Sequence, residues 1–270
     1  MSKTSLKISI ITPSFNQGPY LEETIRSIID QEYPLLEYII IDGGSSDDSV
    51  DIIKKYEKYI SYWVSEPDKG QADAINKGFK LAGGDILAWQ NADDRYLPGT
   101  FAYISNIFGE KDNVEYVFGG WNIINGCGQF VSSRSMKRYS LRKLRSGMSI
   151  PPQPAVFFRN RIITKIGGLD ISKNHVMDYD LYVKSINAEN IFISDKILGE
   201  FRIHSESKTI KDKKGQVAEL RCTRKALLAE RATIKDKVYW LISDARESMK
   251  DYLHNMFHIY SFRDILNRRR

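Results

Sequence analysis

The sequence predicts an α/β fold in which a largely parallel sheet is flanked by helices. Strand and helix signals alternate through the first half of the chain, β-branched apolar runs mark the strands, and polar turns follow them. This alternation is typical of crossover units, which place neighbouring strands parallel. In such sheets ligands bind outside the carboxyl ends of the strands, so we expect a site in the turns that follow the strands.

The predicted elements of the first half follow in chain order. A strand over residues 7–12 leads through the turn PSFNQGP into an amphipathic helix that ends near residue 30. A second strand over 37–42 ends at GGSSD, where another helix begins and continues to about residue 59. The remaining elements of this half are a short strand, a helix and a third apolar strand, predicted at 62–65, 70–81 and 85–89.

The segment from about 110 to 207 has a different pattern. Short strand signals alternate with loops and with one clear helix near 178–187. The strand signals lie at 116–118, 129–131 and 155–158. This pattern predicts a subdomain that covers the rim of the sheet and holds a second substrate, with Gln153 in a loop that faces it.

We therefore divide the chain into one main domain and an extension. The main domain is expected at 1–206, with halves at 1–109 and 110–206, and the basic helical extension at 207–270. The extension opens with a polar linker, and its two helices are predicted at about 216–232 and 234–256.

The composition is that of a soluble globular protein, with 42% hydrophobic and 27% charged residues among 270. The sequence contains no apolar run of about 18 residues and no recognisable signal peptide. Two cysteines, Cys127 and Cys222, are too few for a disulfide framework or a cysteine-based zinc site. We expect a cytoplasmic, reduced protein.

The C-terminal segment is strongly basic, unlike the rest of the chain. Residues 207–270 carry 16 Lys and Arg against 8 Asp and Glu, whereas residues 1–206 carry 24 against 26. Basic residues beside apolar stripes predict a peripheral contact with a membrane surface through residues 216–270. The alternative is a pair of helices packed on the main domain or on the second subunit of a homodimer. A nucleic acid is not an expected partner, because no recognised binding module accompanies the charge.

The stretch LAWQNADDRYLP ends an apolar strand signal on two adjacent carboxylates, Asp93 and Asp94. One interpretation is a helix start, since Asp is a good N-cap and Pro98 suits a first helical turn. The other is a site for a hard divalent cation, which takes one or two protein carboxylates and completes its shell with water and substrate phosphates. On that interpretation, Mn²⁺ or Mg²⁺ is the expected cofactor.

The turns after the first two strands match neither of two common nucleotide motifs. The G-x-G-x-x-G fingerprint and the Walker A loop are both missing from the sequence. Phe15 instead offers an aromatic face on which a base can stack, and Asp42 offers an acceptor for a base or ribose. A turn Phe is also common in cores, and an Asp before Gly-Gly is a common turn former.

Two long segments resemble the opening of family 2 glycosyltransferases, the inverting family with the GT-A fold. They are KISIITPSFNQGPYLEETIRSIIDQEYPLLEYIIIDGGSSDDSVDII and SEPDKGQADAINKGFKLAGGDILAWQNADDRYLPGTF, and NHVMDYDL is similar to the segment that carries the family's general base. The resemblance covers about residues 6–206. It implies a GT-A mixed sheet flanked by helices, with a helical C-terminal appendage. It also implies transfer of a single sugar from a nucleoside diphosphate sugar, with a UDP-sugar favoured, to a glycan or lipid-linked acceptor.

Carried over residue by residue, the resemblance implies Asp178 as the catalytic base and Asp93 and His204 as metal ligands. The donor-binding residues that it implies are Thr12, Pro13, Phe15, Asn16, Asp42, Lys69, Gln71, Asn91, Asp94 and Arg202. Gly43, Asn91 and Met177 depart from the common pattern, which often has an acid at these positions. Since inversion needs one carboxylate opposite the leaving group, we expect the base and the metal ligand on opposite sides of the sugar.

Other interpretations stay open at this point. Asp178 is also suited to a helix N-terminus, where the dipole stabilises an acid, and His204 to a satisfied polar position after a strand. A nucleotide-sugar-binding protein without catalysis is a second candidate function. A nucleotidyltransferase on a similar sheet is a third, but its glycine- and lysine-rich first loop is absent.

Overall fold

The structure is a computed structural model that describes residues 5–136, 139–147, 150–187 and 189–231. Nine strands in this part of the chain form one sheet, in the order β3-β2-β1-β4-β8-β6-β9-β5, with β7 paired to β6. In chain order they are β1 Ile8–Ser14, β2 Leu36–Asp42, β3 Tyr62–Ser65, β4 Ile86–Trp89, β5 Arg95–Tyr96, β6 Tyr116–Asn125, β7 Phe130–Arg134, β8 Val156–Arg159 and β9 Ile191–Ile203.

The strands of the first half are parallel, as predicted. β1 pairs with β2 and with β4, and β2 pairs with β3, all in parallel register. β1 is buried on both faces, because its side chains alternate between two cores: Ile8 and Ile10 lie in one, and Ile11 in the other. This burial explains why the strand is a continuous apolar run rather than an alternating one.

The second half makes the sheet mixed. β8 pairs antiparallel with both β4 and β6, while β9 runs parallel to β6 and antiparallel to β5. The three short strands predicted here are present, and β9 adds a long strand that brings Arg202 back beside the acidic motif. The mixed sheet therefore brings a strand of the second half of the chain next to the acidic motif of the first half.

Helices cover both faces of the sheet. In chain order they are α1 Gly18–Ile29, α2 Ser49–Lys55, α3 Gln71–Leu81, α4 Thr100–Glu110, α5 Leu141–Arg145, α6 Arg161–Ile166, α7 Met177–Ser185, α8 Lys208–Lys211 and α9 Lys213–Arg231, with short 3₁₀ turns at Glu57–Tyr59 and Gln153–Ala155. α1, α2 and α4 pack on one face, and α3, α5, α7 and α9 on the other. α3 approaches β1 closely, since a Cβ on Gly78 would lie 2.4 Å from Ile11 Cγ2.

Helix α9 packs on the main domain through Leu220, Arg224 and Leu227. The Leu227 side chain of α9 is buried in the core, and the Arg224 guanidinium, itself buried, donates to Ser146 O at 2.9 Å. The sequence predicts a polar linker after residue 206. The structure has helix α8 and the start of α9 at these positions instead. The second predicted helix, 234–256, lies outside the described residues. Across the described parts of the chain, no helix is both long enough and apolar enough to span a bilayer.

Candidate functional site

A cleft of about 760 Å³ lies at the carboxyl ends of β1 and β4. The turn after β1 forms one wall, and the 3₁₀ turn Gln153–Ala155 and the start of α7 form the opposite wall. The acidic motif after β4 forms the floor between them, and α8 with the start of α9 closes one end. Both carboxylates on which the sequence argument depends, Asp93 and Asp178, line this cleft.

The two adjacent acids of the motif face in different directions. The Asp93 side chain is 20% exposed and lies in the cleft. Asp94 is buried, and its carboxylate accepts hydrogen bonds from Arg202 N at 2.8 Å and from Asn91 Nδ2 at 3.2 Å. Burial, and then the neighbouring Asp93 charge, raise the pKa of Asp94 well above its ordinary value. The Asp94 carboxylate thus ties the motif to β9, and its contact with the donor stays a prediction.

The His204 ring contacts the Asp93 carboxylate. Its Nε2 lies 3.0 Å from Asp93 Oδ2, and its ring packs on Tyr20 with 4.4 Å between centroids. Nδ1 is buried and has no hydrogen-bond partner among the described residues. One carboxylate and one imidazole suit a cation that draws two ligands from the protein and the others from water and a diphosphate. The described residues contain no cluster of three or more ligating side chains.

The Arg202 guanidinium is used by the protein itself. Nε donates to Asp93 O at 2.7 Å, Nη2 donates to Glu23 Oε2 at 2.6 Å, and the group lies 5.0 Å from the centre of the Tyr20 ring. The side chain is 1% exposed although it borders the cleft. Arg202 thus holds the backbone of the motif in place, and its contact with the donor stays a prediction.

Asp178 lies in the first turn of α7, where the helix begins at the edge of the cleft. Oδ2 accepts a hydrogen bond from Gln153 Nε2 at 2.9 Å, and Oδ1 accepts one from Tyr179 N at 2.7 Å. Burial raises the pKa of Asp178 from 3.8 to about 6, and these hydrogen bonds oppose that rise. A carboxyl with a pKa near 6 can accept a proton at neutral pH and release it again. Asp180, two residues on, points elsewhere and pairs with Lys184 at 2.6 Å.

A chain of side-chain amides crosses the floor of the cleft to Asp178. Gln71 Nε2 donates to Asn91 Oδ1 at 2.8 Å, Asn91 Nδ2 lies 3.4 Å from Gln153 Oε1, and Gln153 holds Asp178. The Asn91 Nδ2 group donates to Asp94 and faces Gln153 Oε1, and an aspartate at position 91 would have no N–H group to do so. The departure at Asn91 thus has a physical explanation, since an amide can both accept and donate.

Four residues predicted to bind the donor lie outside the lining of the cleft. Thr12 Oγ1 is buried 3.2 Å from Tyr38 Oη, and Asn16 Oδ1 accepts from Ser46 N at 2.9 Å. Lys69 is exposed outside the cleft lining. Asp42 is fully buried, and its carboxylate accepts from Ser45 N at 2.8 Å and from Ser65 Oγ at 2.7 Å. None of the four is in the lining of the cleft, and their contacts with a donor stay predictions.

The remaining predicted donor residues do line the cleft. Pro13, Phe15 and Gln71 are on its wall, and the Phe15 ring is 59% exposed and available for stacking. Asp68 lines it as well, and a Cβ on Gly43 would lie 2.7 Å from Asp68 Oδ2. The Asp68 carboxylate thus fills the space that a side chain at position 43 would need.

Sequence reasoning missed the contribution of the C-terminal segment. Lys208 and Thr209 of α8 and Gln216 and Leu220 of α9 line the cleft. The Glu219 carboxylate accepts hydrogen bonds from the backbone of Asn174 and His175, just before α7. A polar stretch gives no local signal of such a role, because its partners are distant in the sequence. The membrane contact predicted for 216–270 stays a prediction, most of which falls outside the described residues.

Comparisons with known proteins agree on one class. A family model described as Glycosyl transferase family 2 matches residues 9–167. An uncharacterised glycosyltransferase of Mycobacterium tuberculosis is 34% identical over 181 residues, which are 66% of this chain and 68% of that protein. Another from Rickettsia typhi is 29% identical over 211 residues, which are 75% of this chain and 65% of that protein.

Solved structures share the architecture. S. aureus TarS 1-349 in complex with UDP has a TM-score of 0.65 at 18% identity, over 84% of this chain and 67% of that one. Its complex with UDP-GlcNAc also scores 0.65, over 80% and 65% of the two chains. The mannosyltransferase PcManGT from Pyrobaculum calidifontis, in complex with GDP-Man and Mn²⁺, has a TM-score of 0.58 at 18% identity, over 90% and 81%. These likenesses confirm the predicted GT-A fold.

Proposed function

Since the chain belongs to glycosyl transferase family 2 and is a glycosyltransferase, we propose that it moves one sugar, with inversion, from a nucleoside diphosphate sugar to an acceptor hydroxyl. One observation carries the proposal: a cation-suited carboxylate, Asp93, and a carboxylate with a pKa of about 6, Asp178, line the same cleft. Their different environments suit two different roles.

Asp178 is the general base in this proposal. At pH 7 a carboxyl with a pKa of about 6 is about nine-tenths ionised, so it can take the proton of the acceptor hydroxyl. The acceptor oxygen forms its bond to the anomeric carbon as the bond from that carbon to the diphosphate oxygen breaks. The electron pair of the broken bond leaves with the nucleoside diphosphate, and the acceptor proton ends on Asp178. Gln153 holds the carboxylate in place throughout.

Asp93 and His204 would hold Mn²⁺ or Mg²⁺ on the donor side. Such a cation supplies positive charge for the leaving diphosphate. The pair of facing ligand atoms, Asp93 Oδ2 and His204 Nε2, 3.0 Å apart at the cleft, supports this role. PcManGT, solved with GDP-Man and Mn²⁺, is consistent with it.

The donor is a nucleotide sugar, with a UDP-sugar favoured. The similar TarS structures hold UDP or UDP-GlcNAc, and PcManGT holds GDP-Man. Phe15 is the exposed aromatic side chain on which the base would stack, and Asp68 is the acid within reach of the same wall. For the acceptor we propose a glycan or lipid-linked hydroxyl that binds in the cleft beside Gln153 and Asp178.

Donor turnover tests the proposal. The protein is incubated with a panel of UDP-, GDP- and dTDP-sugars and Mn²⁺, and released nucleoside diphosphate is measured. We expect slow hydrolysis of one donor class, lost in Asp93→Asn and kept in Asp112→Asn, a control whose carboxylate is fully exposed. Binding of a donor without any turnover would instead support an inactive nucleotide-sugar-binding protein. Release of pyrophosphate would support a nucleotidyltransferase.

A further inference from the structure

The segment that leads into α7 determines where the proposed base lies. α7 begins at Met177, and Asp178 lies in its first turn. Val176, the residue before the helix, has an apolar side chain that cannot cap the free N–H groups of that turn. Helix ends fray, so the position of Asp178 depends on what fixes the backbone just before the helix.

The Glu219 carboxylate of α9 holds this backbone. One oxygen accepts a hydrogen bond from Asn174 N at 2.7 Å, and the other accepts one from His175 N at 2.9 Å. Hydrogen bonds to an ionised carboxylate are about twice as strong as those between neutral groups. His175 is three positions before Asp178 in the sequence, so Glu219 fixes the chain about one helical turn from the proposed base.

A second contact ties the same segment to the start of α9. The His175 side chain is 5% exposed, and its Nε2 lies 3.0 Å from Asp212 Oδ2. The other oxygen of Asp212 accepts from Gly215 N at 2.8 Å, which fixes this carboxylate to the first turn of α9. His175 is thus held through both its backbone and its side chain by the same part of the chain.

α9 can serve as a support because it is attached to the domain elsewhere. Leu227 is buried in the core, and Leu220 packs against the same core. A Cβ on Gly147 would lie 3.2 Å from Leu220 Cδ1, so helix and domain are in close contact there. The buried Arg224 guanidinium donates to the backbone at the end of α5 at 2.9 Å. Glu219 therefore links a packed helix to the backbone before α7.

We propose that Glu219 is a positioning residue for Asp178, so that α9 contributes to catalysis without touching the substrate. The proposal rests on the function proposed above. Glu219 is not in the lining of the cleft, so it acts through the backbone that it holds. A general base must lie within hydrogen-bond reach of the proton that it takes. A misplacement of about 1 Å at such a group can lower the rate about a hundredfold.

Glu219→Gln tests the proposal, because it keeps the shape of the side chain and leaves one oxygen for two N–H groups. Amide hydrogen exchange of the full chain without ligand is followed by mass spectrometry. We expect faster exchange over residues 174–180 and unchanged exchange in β1. Glu189→Gln is the matched control, since Glu189 is exposed and lies outside the cleft lining, and it should match the wild type in every measurement.

Turnover separates positioning from a general loss of structure. With the donor that the wild type hydrolyses in Mn²⁺, kcat of Glu219→Gln should fall about tenfold to a hundredfold. The affinity for UDP or GDP, measured by calorimetry in Mn²⁺, should not change. If Glu219 acts through Asp178, the same substitution in Asp178→Asn should cause no further loss of turnover, whereas independent effects would multiply.

Several outcomes would overturn the proposal. Wild-type kcat in Glu219→Gln, a parallel fall in UDP or GDP affinity, or an equal loss of turnover with and without Asp178 would each do so. The negative charge of Glu219 also opposes the lowering of the Lys208 pKa by desolvation, so lost turnover with unchanged hydrogen exchange would assign the effect to that charge instead.

The same measurements distinguish a failure of this inference from a failure of the proposed function. If the wild type turns over a donor and one of these outcomes is found, only the role of Glu219 fails. If the wild type turns over no donor, the proposed function fails, and the role of Glu219 fails with it.

Discussion

The hydrogen bond from Gln153 to Asp178 sets the pH at which the proposed base works. Gln153 Nε2 donates to Asp178 Oδ2 at 2.9 Å, and this bond favours the ionised carboxylate. Gln153→Met keeps the length of the side chain and removes the donor. The remaining bond from Tyr179 N still favours the charged form, while burial disfavours it. We therefore expect the pKa of Asp178 to rise in the variant.

The size of the shift follows from the type of bond. A hydrogen bond to a charged group is worth about 1.5–3 kcal/mol, and about 1.4 kcal/mol corresponds to one pH unit. Water that enters through the cleft replaces part of the lost bond, so we take the lower end, about one unit. The midpoint should then move from about 6 to about 7. At pH 6 the variant should retain about one-fifth of the wild-type kcat/KM, and the two should converge toward pH 8.

The assay is donor turnover across pH 5–9, with kcat/KM fitted at each pH. Gln129→Met is the matched control, because Gln129 lies in the exposed turn between β6 and β7, away from the cleft. A loss of activity by the same factor at every pH would refute the reasoning, since it would mean that Gln153 acts without setting the pKa of Asp178.

Two further predictions concern stability. The raised pKa means that the folded state holds the Asp178 proton more tightly than the unfolded chain, so this carboxyl costs stability as the pH rises from 3.8 to about 6. Asp178→Asn should therefore raise the free energy of unfolding at pH 8 by up to about 3 kcal/mol and change it little at pH 4, in urea titrations; an equal effect at both pH values would contradict this. Leu227→Ala should lower the free energy of unfolding by about 2–4 kcal/mol, since the Leu227 side chain of α9 is buried in the core, whereas a value near zero would mean that α9 does not pack on the domain.

Local patterns were enough to predict the architecture of the first half. β1, β2 and β4 are apolar β-branched runs closed by turns, and their parallel order follows from the helices between them. The carboxyl-end rule then brings Pro13 and Asp93 to the same cleft although 79 positions separate them in the printed sequence. The placement of Asp178 across from them needed the family resemblance, because a lone acid at a helix start has no distinctive pattern.

The direction of individual side chains could not be predicted. Asp42 and Asp94 follow their strands as the motif requires, yet their carboxylates turn inward to backbone amides that the sequence does not mark as partners. Lys208 meets Gln71 from 137 positions away, through the path of β9 and α8. Such contacts depend on the packing of the whole sheet, which local periodicity does not encode.

The most direct measurement compares nucleoside diphosphate affinity with donor turnover in Asp178→Asn and Asp93→Asn. Asp178→Asn should bind the diphosphate with wild-type affinity in Mn²⁺ while turnover falls about 10²–10⁴-fold, the usual contribution of a general base. Asp93→Asn should lose both. Wild-type turnover in Asp178→Asn, or unchanged diphosphate affinity in Asp93→Asn, would contradict the division of roles between the two carboxylates.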